Sequence, residues 1–380
     1  MKYFIVAGEA SGDLHGSNLV KALRSQDPGA EICGWGGDLM EAAGARILKH
    51  YRDLAFMGFW EVITHLGAIL RNFRTCKRQI LDFSPDAVIL IDYPGFNLRL
   101  APWIKAQGFK VNYYISPQLW AWKSGRVKII KSSVDRLYVI LPFEPEFYAR
   151  YEYDADFVGH PLLDVVSDFK TDPRFSERNG LDPRPVIALL PGSRRQEISR
   201  ILPVLLTLPA SFPDFQFAVG GAGAIPVAFY DKIIDQAGAT GKVKLIHGAT
   251  HQLLNIAHSA VVASGTASLE TALFGVPEIV VYRGSGISFW IAKRLVHVSY
   301  ISLANLILDR ALLKELIQDD LNPDRLRMET RHLLTAEEQN RLKQGYAELR
   351  EALGQPGASQ RTAEKIIGFL TGQSKQSIRP

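Results

Sequence analysis

Short runs of aliphatic and β-branched residues alternate along the chain with longer stretches whose apolar positions recur every three to four residues. That alternation is the pattern of a parallel sheet wrapped by helices. Runs at 3–7, 31–34, 87–91, 110–115, 136–140 and 155–158 predict strands, with helices between them such as 16–25 and 59–82. A second set at 185–190, 215–219, 242–246, 260–263 and 278–282 repeats the plan. Between the sets, 167–184 carries Pro173, Pro183 and several charges and reads as a linker. Beyond about residue 312 the pattern is helical, ending in a polar tail at 373–380. The predicted division is therefore a doubly wound α/β domain over 1–166, a linker over 167–184, a second such domain over 185–345 and a helical tail over 346–380. Two such domains in tandem imply a cleft faced by the carboxyl ends of both sheets.

A chain of 380 residues is too long for one ordinary core, in keeping with two domains. An apolar share of 47% with 22% charged residues excludes disordered, collagen-like and coiled-coil classes. No uninterrupted apolar run reaches the roughly 18 residues of a membrane span. The first residues reach Glu9 and Asp13 at once, so they read as a strand and not as a secretory signal. Cys33 and Cys76 form no C-x-x-C pair and predict packed thiols in a reducing compartment. The net charge of +5 is too small to indicate a nucleic-acid partner, but it suits phosphates or an acidic membrane face.

Candidate chemistry gathers at predicted strand ends. Gly8-Glu9-Ala10-Ser11-Gly12-Asp13 opens a helix after the first strand. It is either a backbone approach to an anionic ligand or a tight turn with Asp13 stabilising the helix start. Asp92, at the end of the strand 87–91, is poised as a general base or caps the turn at Pro94-Gly95. Ser116, Trp120 and Trp122 end a further strand, where the indoles either stack on sugar or acyl groups or pack in the core. Leu190-Pro191-Gly192-Ser193-Arg194, with Glu197 a turn later, offers free amides, a hydroxyl and a guanidinium to a diphosphate. Its alternative is a capped helix with solvated Arg194 and Arg195. Ser264-Gly265-Thr266-Ala267 precedes a helix bearing Glu270. It is either a second phosphate loop with a carboxylate for ribose hydroxyls or an N-cap with a dipole-compatible acid. Two such loops in one domain favour nucleotide binding.

Other patterns point away from metals and dinucleotides. His247, His251 and His258 lack a completing ligand set and read as packed or surface histidines. Asp154 and Asp156 imitate a metal-binding D-x-D but sit on a short strand, and Gly221-x-Gly223 ends in Pro226 instead of glycine. The segment 56–73 carries an apolar band containing Phe59, Trp60, Ile63, Leu66 and Leu70, followed by Arg71, Arg74, Lys77 and Arg78. It is either a membrane-interface helix or a buried one.

The ordered set Gly-Glu-Ala-Ser-Gly-Asp (8–13), Ile-Asp-x-Pro-x-Phe-Asn (91–97), Ser-Pro-x-x-Trp-Ala-Trp (116–122), Val-Gly-His-Pro (158–161), Leu-Pro-Gly-Ser-Arg (190–194), Ser-Gly-Thr-Ala-Ser-Leu-Glu (264–270) and Asn-Leu-Ile (305–307) resembles the lipid-A-disaccharide synthases. The resemblance runs from Met1 to about Leu370 and implies an inverting, metal-independent glycosyltransferase of the two-Rossmann (GT-B) type. The implied reaction joins UDP-2,3-diacylglucosamine to 2,3-diacylglucosamine 1-phosphate, giving a β-1,6 disaccharide 1-phosphate and UDP, with no cofactor. It implies Asp92 as general base and Gly192, Ser193, Arg194, Glu197, Ser264, Gly265, Thr266, Ala267 and Glu270 around UDP. Glu9, Ser11, Gly12, Asn97, Ser116, Trp120, Asn305 and Gln318 would meet sugar or acceptor. Tyr93 and Gly95 depart from the family's usual Ala and Asp, and Gln318 precedes Asp319-Asp320 where Glu-Glu is commoner. The family's C-terminal helices return to a first domain, the chain's own or a partner subunit's, so a homodimer is expected. Peripheral attachment to inner-membrane phospholipids on the cytoplasmic side is expected too. The competing readings are another UDP-sugar transferase or epimerase of this fold, or a non-catalytic nucleotide- or phospholipid-binding protein.

Overall fold

The computed structural model describes residues 1–54, 66–122, 124–284 and 299–372. The chain divides into two units: Met1–Pro161 together with Gln355–Pro380, and Leu162–Gly354.

In the first unit, β1 (Lys2–Ala7), β2 (Glu31–Gly36), β3 (Arg46–His50), β4 (Ala87–Ile91), β5 (Lys110–Tyr114), β6 (Arg136–Val139) and β7 (Asp156–Phe157) form one parallel sheet. Their order is β3-β2-β1-β4-β5-β6-β7, so the winding direction reverses between β1 and β4. Both faces are covered, which is why β1 and β4 read as unbroken apolar runs. Tyr3, Ile5 and Ala7 pack against Leu19 and Leu23 of α1 (Ala10–Gln26). Phe4 and Val6 point the other way, toward Cys76 and Ile80 of α2 (Leu66–Phe83) and Leu100 and Ile104 of α3 (Pro94–Ala106). Cys33 and Cys76 are buried and unpaired.

The second unit repeats the plan with β8 (Val186–Leu190), β9 (Gln216–Gly221), β10 (Val243–His247), β11 (Ala257–Ala263), β12 (Glu278–Tyr282) and β13 (Lys314–Ile317). These are parallel in the order β10-β9-β8-β11-β12-β13, with the reversal between β8 and β11. The helices that matter below are α4 (Arg195–Leu205), α5 (Thr250–Ile256), α6 (Thr266–Leu273), α7 (Leu303–Leu308) and α8 (Ala336–Ala352). The chain then returns to the first unit as α9 (Ala358–Leu370), which buries Ala363 and Ile366 on the α1 side of its sheet. Arg361 Nε donates to the Val158 carbonyl at 2.8 Å, and Lys365 pairs with Asp156 at 2.7 Å. That ion pair gives Asp156 a structural partner in place of the D-x-D role.

The structure departs from the sequence expectation in three places. β3 and β13 are edge strands rich in charge, Arg46-Ile-Leu-Lys-His50 and Lys314-Glu-Leu-Ile317, and so lack the apolar signature of the inner strands. The 167–184 stretch belongs to the second unit: Phe175 is buried against Val186 and Ala188, and the Gln216 side chain bonds the backbone of Asp182 and Arg184. Its Pro173 and Pro183 lie exposed at a turn and a bend. The tail begins later than residue 346, because Leu349 and Leu353 still pack in the second unit's core. The predicted helix 59–82 is described from Leu66 onward, and 55–65 lie outside the described residues. Among the described residues, no helix is long and apolar enough to cross a membrane.

Glu278, the first residue of β12, is 1% exposed, and neither carboxylate oxygen has a hydrogen-bond partner among the described residues. Burial pushes its pKa well above the ordinary glutamate value. The folded state therefore holds a proton that the unfolded chain releases near the usual carboxylate pKa. Stability is then lost as pH rises above that value, by at most about 1.4 kcal/mol per pH unit. Glu278→Gln is expected to melt close to wild type near pH 4.5 and above it at pH 8, the gap widening with pH in thermal scans. A constant gap would show that the carboxyl's ionisation plays no part.

Candidate active site

In the first unit, the loops leaving β1 and β4 meet at the switch point of the sheet, where an open α/β sheet leaves room for a ligand. Asp92 and Tyr93 both take left-handed backbone angles, φ 42° and 48°, directly before α3. Consecutive non-glycine residues in that region cost free energy and need outside support. The support is visible. Tyr113 Oη donates to the Asp92 carbonyl at 2.6 Å, Asn97 Nδ2 donates to the same carbonyl at 2.8 Å, and the Asp92 amide donates to the Tyr114 carbonyl at 3.1 Å. The Tyr93 ring lies flat on Gly8, where a Cβ would stand 2.3 Å from the ring, so glycine there is what lets the two loops close on each other.

This turn presents the Asp92 carboxyl beside Glu9, the N-cap residue of α1, whose carboxylate makes no capping bond. Burial, reinforced by the Glu9 charge and opposed by the Tyr93 amide, raises the Asp92 pKa to about 7. A carboxyl in that range exchanges a proton at neutral pH, the property a general base needs. Ser11 is exposed in the first turn of α1, and Gly12 is buried against Ala7. Asp13 does not cap α1. Its carboxylate accepts from the amides of Gly37 (2.7 Å), Leu39 and Met40 (both 3.1 Å), tying the next loop to α1.

In the second unit, the loops after β8 and β11 form the walls of a cavity of about 800 Å³. It is lined by Gly192, Ser193, Arg194 and Glu197 on one side and by Ser264, Gly265, Thr266, Ala267 and Glu270 on the other. Gly192 has φ 107°, and a Cβ there would come within 2.6 Å of the Glu197 carboxylate. Arg194 is 67% exposed, its guanidinium 3.6 Å from Glu197 and otherwise open to a ligand. The Ser268 amide donates to the Gly265 carbonyl at 3.2 Å, and the amides of Thr266 and Ala267 at the start of α6 are left, with Arg194, as two kinds of donor for an anion.

Several residues named from the sequence as ligand contacts serve the scaffold instead. Asn97 is fully buried, and its amide also donates to the carbonyls of Ile91 (3.2 Å) and Val6 (3.4 Å). Asn305, 1% exposed, donates to Leu313 (3.0 Å) and Glu315 (2.9 Å) and accepts from the Leu313 amide at 2.7 Å, fastening α7 to β13. Ser116 is buried and bonds Tyr148 Oη at 2.6 Å, beside Glu144. Burial raises the Glu144 pKa to about 8, against the pull of the Leu141 and Ile140 amides. Glu197 folds back to accept from the amides of Ser193 (3.2 Å) and Arg194 (3.3 Å), so these amides are not free. The Ser264 hydroxyl is likewise spent on the Ile301 carbonyl at 2.9 Å. Asn97 and Asn305 satisfy buried backbone groups, a demand invisible in spacing alone, while Ser116 and Glu197 are held by a side-chain hydroxyl and by neighbouring exposed amides.

Trp120 is half-buried edge-on to Phe143. Gln318 directly follows β13 with φ 55° and a buried amide nitrogen that has no partner among the described residues, and it does not line the cavity. Phe59, Trp60 and Ile63 lie outside the described residues, as does the side chain of Leu66, whereas Leu70 is 51% exposed on α2. Conversely, Phe169, Gly220, Ala222, 248–250 and Gln252 line the cavity without having been singled out, and Gly223 and His251, read from the sequence as part of an imitation fingerprint and as a packed or surface histidine, line it too. The available signal was their position at the ends of β9 and β10, beside a strand already assigned a ligand loop. His247 and His258 are spent on Ile225 and Ser259, but His251 lies 3.6 Å from Glu270, an acidic neighbour its spacing did not suggest. Among the described residues no group of three His, Cys, Asp or Glu could hold a metal ion.

Two tandem parallel-sheet units, one with a buried carboxyl of raised pKa and one with a cavity at its switch point, define a GT-B-type α/β protein. Solved structures share the fold at low identity. One is a putative UDP-N-acetylglucosamine 2-epimerase from Listeria monocytogenes (TM-score 0.71, 14% identity, 100% of this chain and 99% of that one). Another is a calicheamicin glycosyltransferase (TM-score 0.59, 15% identity, 98% and 99%). The lipid-A-disaccharide synthetase family profile matches residues 3–367. Curated lipid-A-disaccharide synthases from Syntrophus aciditrophicus (42% identical, 96% of this chain and 97% of that one) and Geobacter metallireducens (40%, 97% and 97%) align along its whole length. The chain belongs to the lipid-A-disaccharide synthase family, whose members are glycosyltransferases of lipid A biosynthesis.

Asn97→Ala removes the amide hydrogens shared by the Val6, Ile91 and Asp92 carbonyls, of which Asp92 keeps the Tyr113 hydroxyl. It is expected to lower unfolding free energy by about 1–3 kcal/mol in denaturant titration. An unchanged midpoint together with weakened acceptor binding would return Asn97 to the role of a ligand contact.

Proposed function

We propose that this chain transfers the sugar of UDP-2,3-diacylglucosamine to the 6-hydroxyl of 2,3-diacylglucosamine 1-phosphate. The observation that carries this reading is the Asp92 carboxyl, held by a strained, braced turn beside Glu9 with its pKa raised to about 7. Asp92 takes the hydroxyl proton as the acceptor oxygen bonds to the sugar's anomeric carbon. The bond from that carbon to the UDP phosphate oxygen breaks in the same displacement, inverting the centre. The electron pair leaves on the β-phosphate, where Arg194 and the α6 N-terminus oppose the developing charge. Glu270 accepts the ribose hydroxyls at the inner end of the cavity. Glu9 and Ser11 lie on the loop nearest Asp92 and are the first unit's contacts for the acceptor.

The membrane role is part of the same proposal. Leu70 and Leu81 are exposed on α2 alongside exposed Arg71, Arg74 and Arg78. Apolar and basic side chains on one helix suit an anionic headgroup layer on the cytoplasmic side, where the acylated substrates reside. Exchange of α9 between two copies would rebuild the Arg361–Val158 and Lys365–Asp156 contacts in a homodimer.

Incubation of the purified chain with both substrates is expected to yield the tetraacyl disaccharide 1-phosphate by mass spectrometry. Asp92→Asn should keep UDP affinity while turnover falls by roughly 10²–10⁴. Wild-type kcat/KM should climb with pH through about 7, the pKa of the Asp92 carboxyl, as the base ionises. Full turnover in Asp92→Asn would overturn the base assignment, and absence of the disaccharide in the wild type would overturn the reaction.

A further inference from the structure

The nucleotide cavity contains a histidine to which the preceding reading gives no task. His251, the second residue of α5, lines the cavity together with Glu270 of α6. Its ring stacks on Phe274 (centroids 5.5 Å apart, 23° between planes), and Phe169 stands edge-on to both rings, at 6.4 Å from His251 and 5.1 Å from Phe274. Three rings in mutual contact fix the plane of the imidazole. That plane brings Nε2 to 3.6 Å from Glu270 Oε2, with the two side chains 34% and 18% exposed. The separation is a little longer than a hydrogen bond, and such contacts commonly tighten when a ligand fills the site.

We propose that His251 is a positioning residue that holds the Glu270 carboxylate toward the ribose hydroxyls and so makes the site select ribonucleotides over their deoxy analogues. The inference rests on Glu270 as the ribose acceptor and adds what keeps it there. A glutamate side chain has several rotamers, and binding must collect them into one. An Nε2–H aimed at one carboxylate oxygen does that in advance and leaves the second oxygen for the sugar. A hydroxyl bonded to a carboxylate is a strong discriminator, because its loss leaves a partly buried charge without a donor. The aromatic clamp therefore reaches the nucleotide through one carboxylate.

The test compares calorimetric Kd values for UDP, 2′-deoxy-UDP and 3′-deoxy-UDP on the full chain carrying His251→Phe, His251→Gln or Glu270→Ala. His251→Phe keeps a ring for Phe274 and Phe169 to pack against, and His251→Gln keeps a donor. Wild type is expected to prefer UDP over at least one deoxy analogue by roughly tenfold, the value of one charge-assisted hydrogen bond. In His251→Phe that ratio should fall toward one with deoxy affinity nearly unchanged, and His251→Gln should recover most of it. A wild-type ratio in His251→Phe, with the ratio lost in Glu270→Ala, would overturn the inference while leaving Glu270 on the ribose. Equal weakening toward all three nucleotides in His251→Phe would also overturn it, reducing His251 to packing. A ratio unchanged in Glu270→Ala would overturn the ribose assignment and the inference with it.

Discussion

A parallel sheet covered on both faces leaves its polar chemistry few places to go. Side chains along β1, β4, β8 and β11 are taken by the cores, and the backbone groups by neighbouring strands. Only where successive crossovers turn opposite ways do two strand ends stand side by side without a helix closing the gap. Both units use that opening. In the first it receives two carboxylates, Glu9 and Asp92; in the second it receives glycines, a helix start and Arg194. The proposed division of labour, proton acceptance in one unit and anion binding in the other, rests on what each pair of loops carries.

The residues around Asp92 show how much scaffold a single side chain requires. A carboxyl could be placed at a strand end by an ordinary turn. Here the backbone is bent into a region that L-residues avoid, and Tyr113, Asn97 and Gly8 are all committed to holding it. The gain is direction: the side chain leaves the sheet toward Glu9, where burial and like charge act on it together.

The inner strands and the strand-end loops were legible in the sequence, because alternation of apolar runs and Gly- or Ser-rich turns is a local signal. Residues 87–91 and 278–282 were bounded as they are found. Two of the four edge strands were not, since β3 and β13 owe their pairing to a neighbour and not to their own charged composition, whereas β7 and β10 were. Within the motifs, identity and role separated. Arg194 and Glu270 line the cavity and Asp92 is presented beside Glu9. Asn97 instead reaches the Val6 carbonyl and Ser116 the Tyr148 hydroxyl, partners that come near only in three dimensions, and Asn305 and Glu197 bond backbone groups within eight residues of themselves. The His251–Glu270 approach was equally hidden, joining residues nineteen positions apart on two helices whose separation in space depends on the order of β10, β8 and β11.

The return of α9 to the first unit has a consequence for how the molecule comes into being. A ribosome delivers the whole of Leu162–Gly354 before it delivers Ala358–Leu370, so the later-encoded unit can close its core while the earlier one still lacks Ala363 and Ile366. Synthesis order and completion order are thereby reversed, and the half that carries Asp92 is the last to be finished.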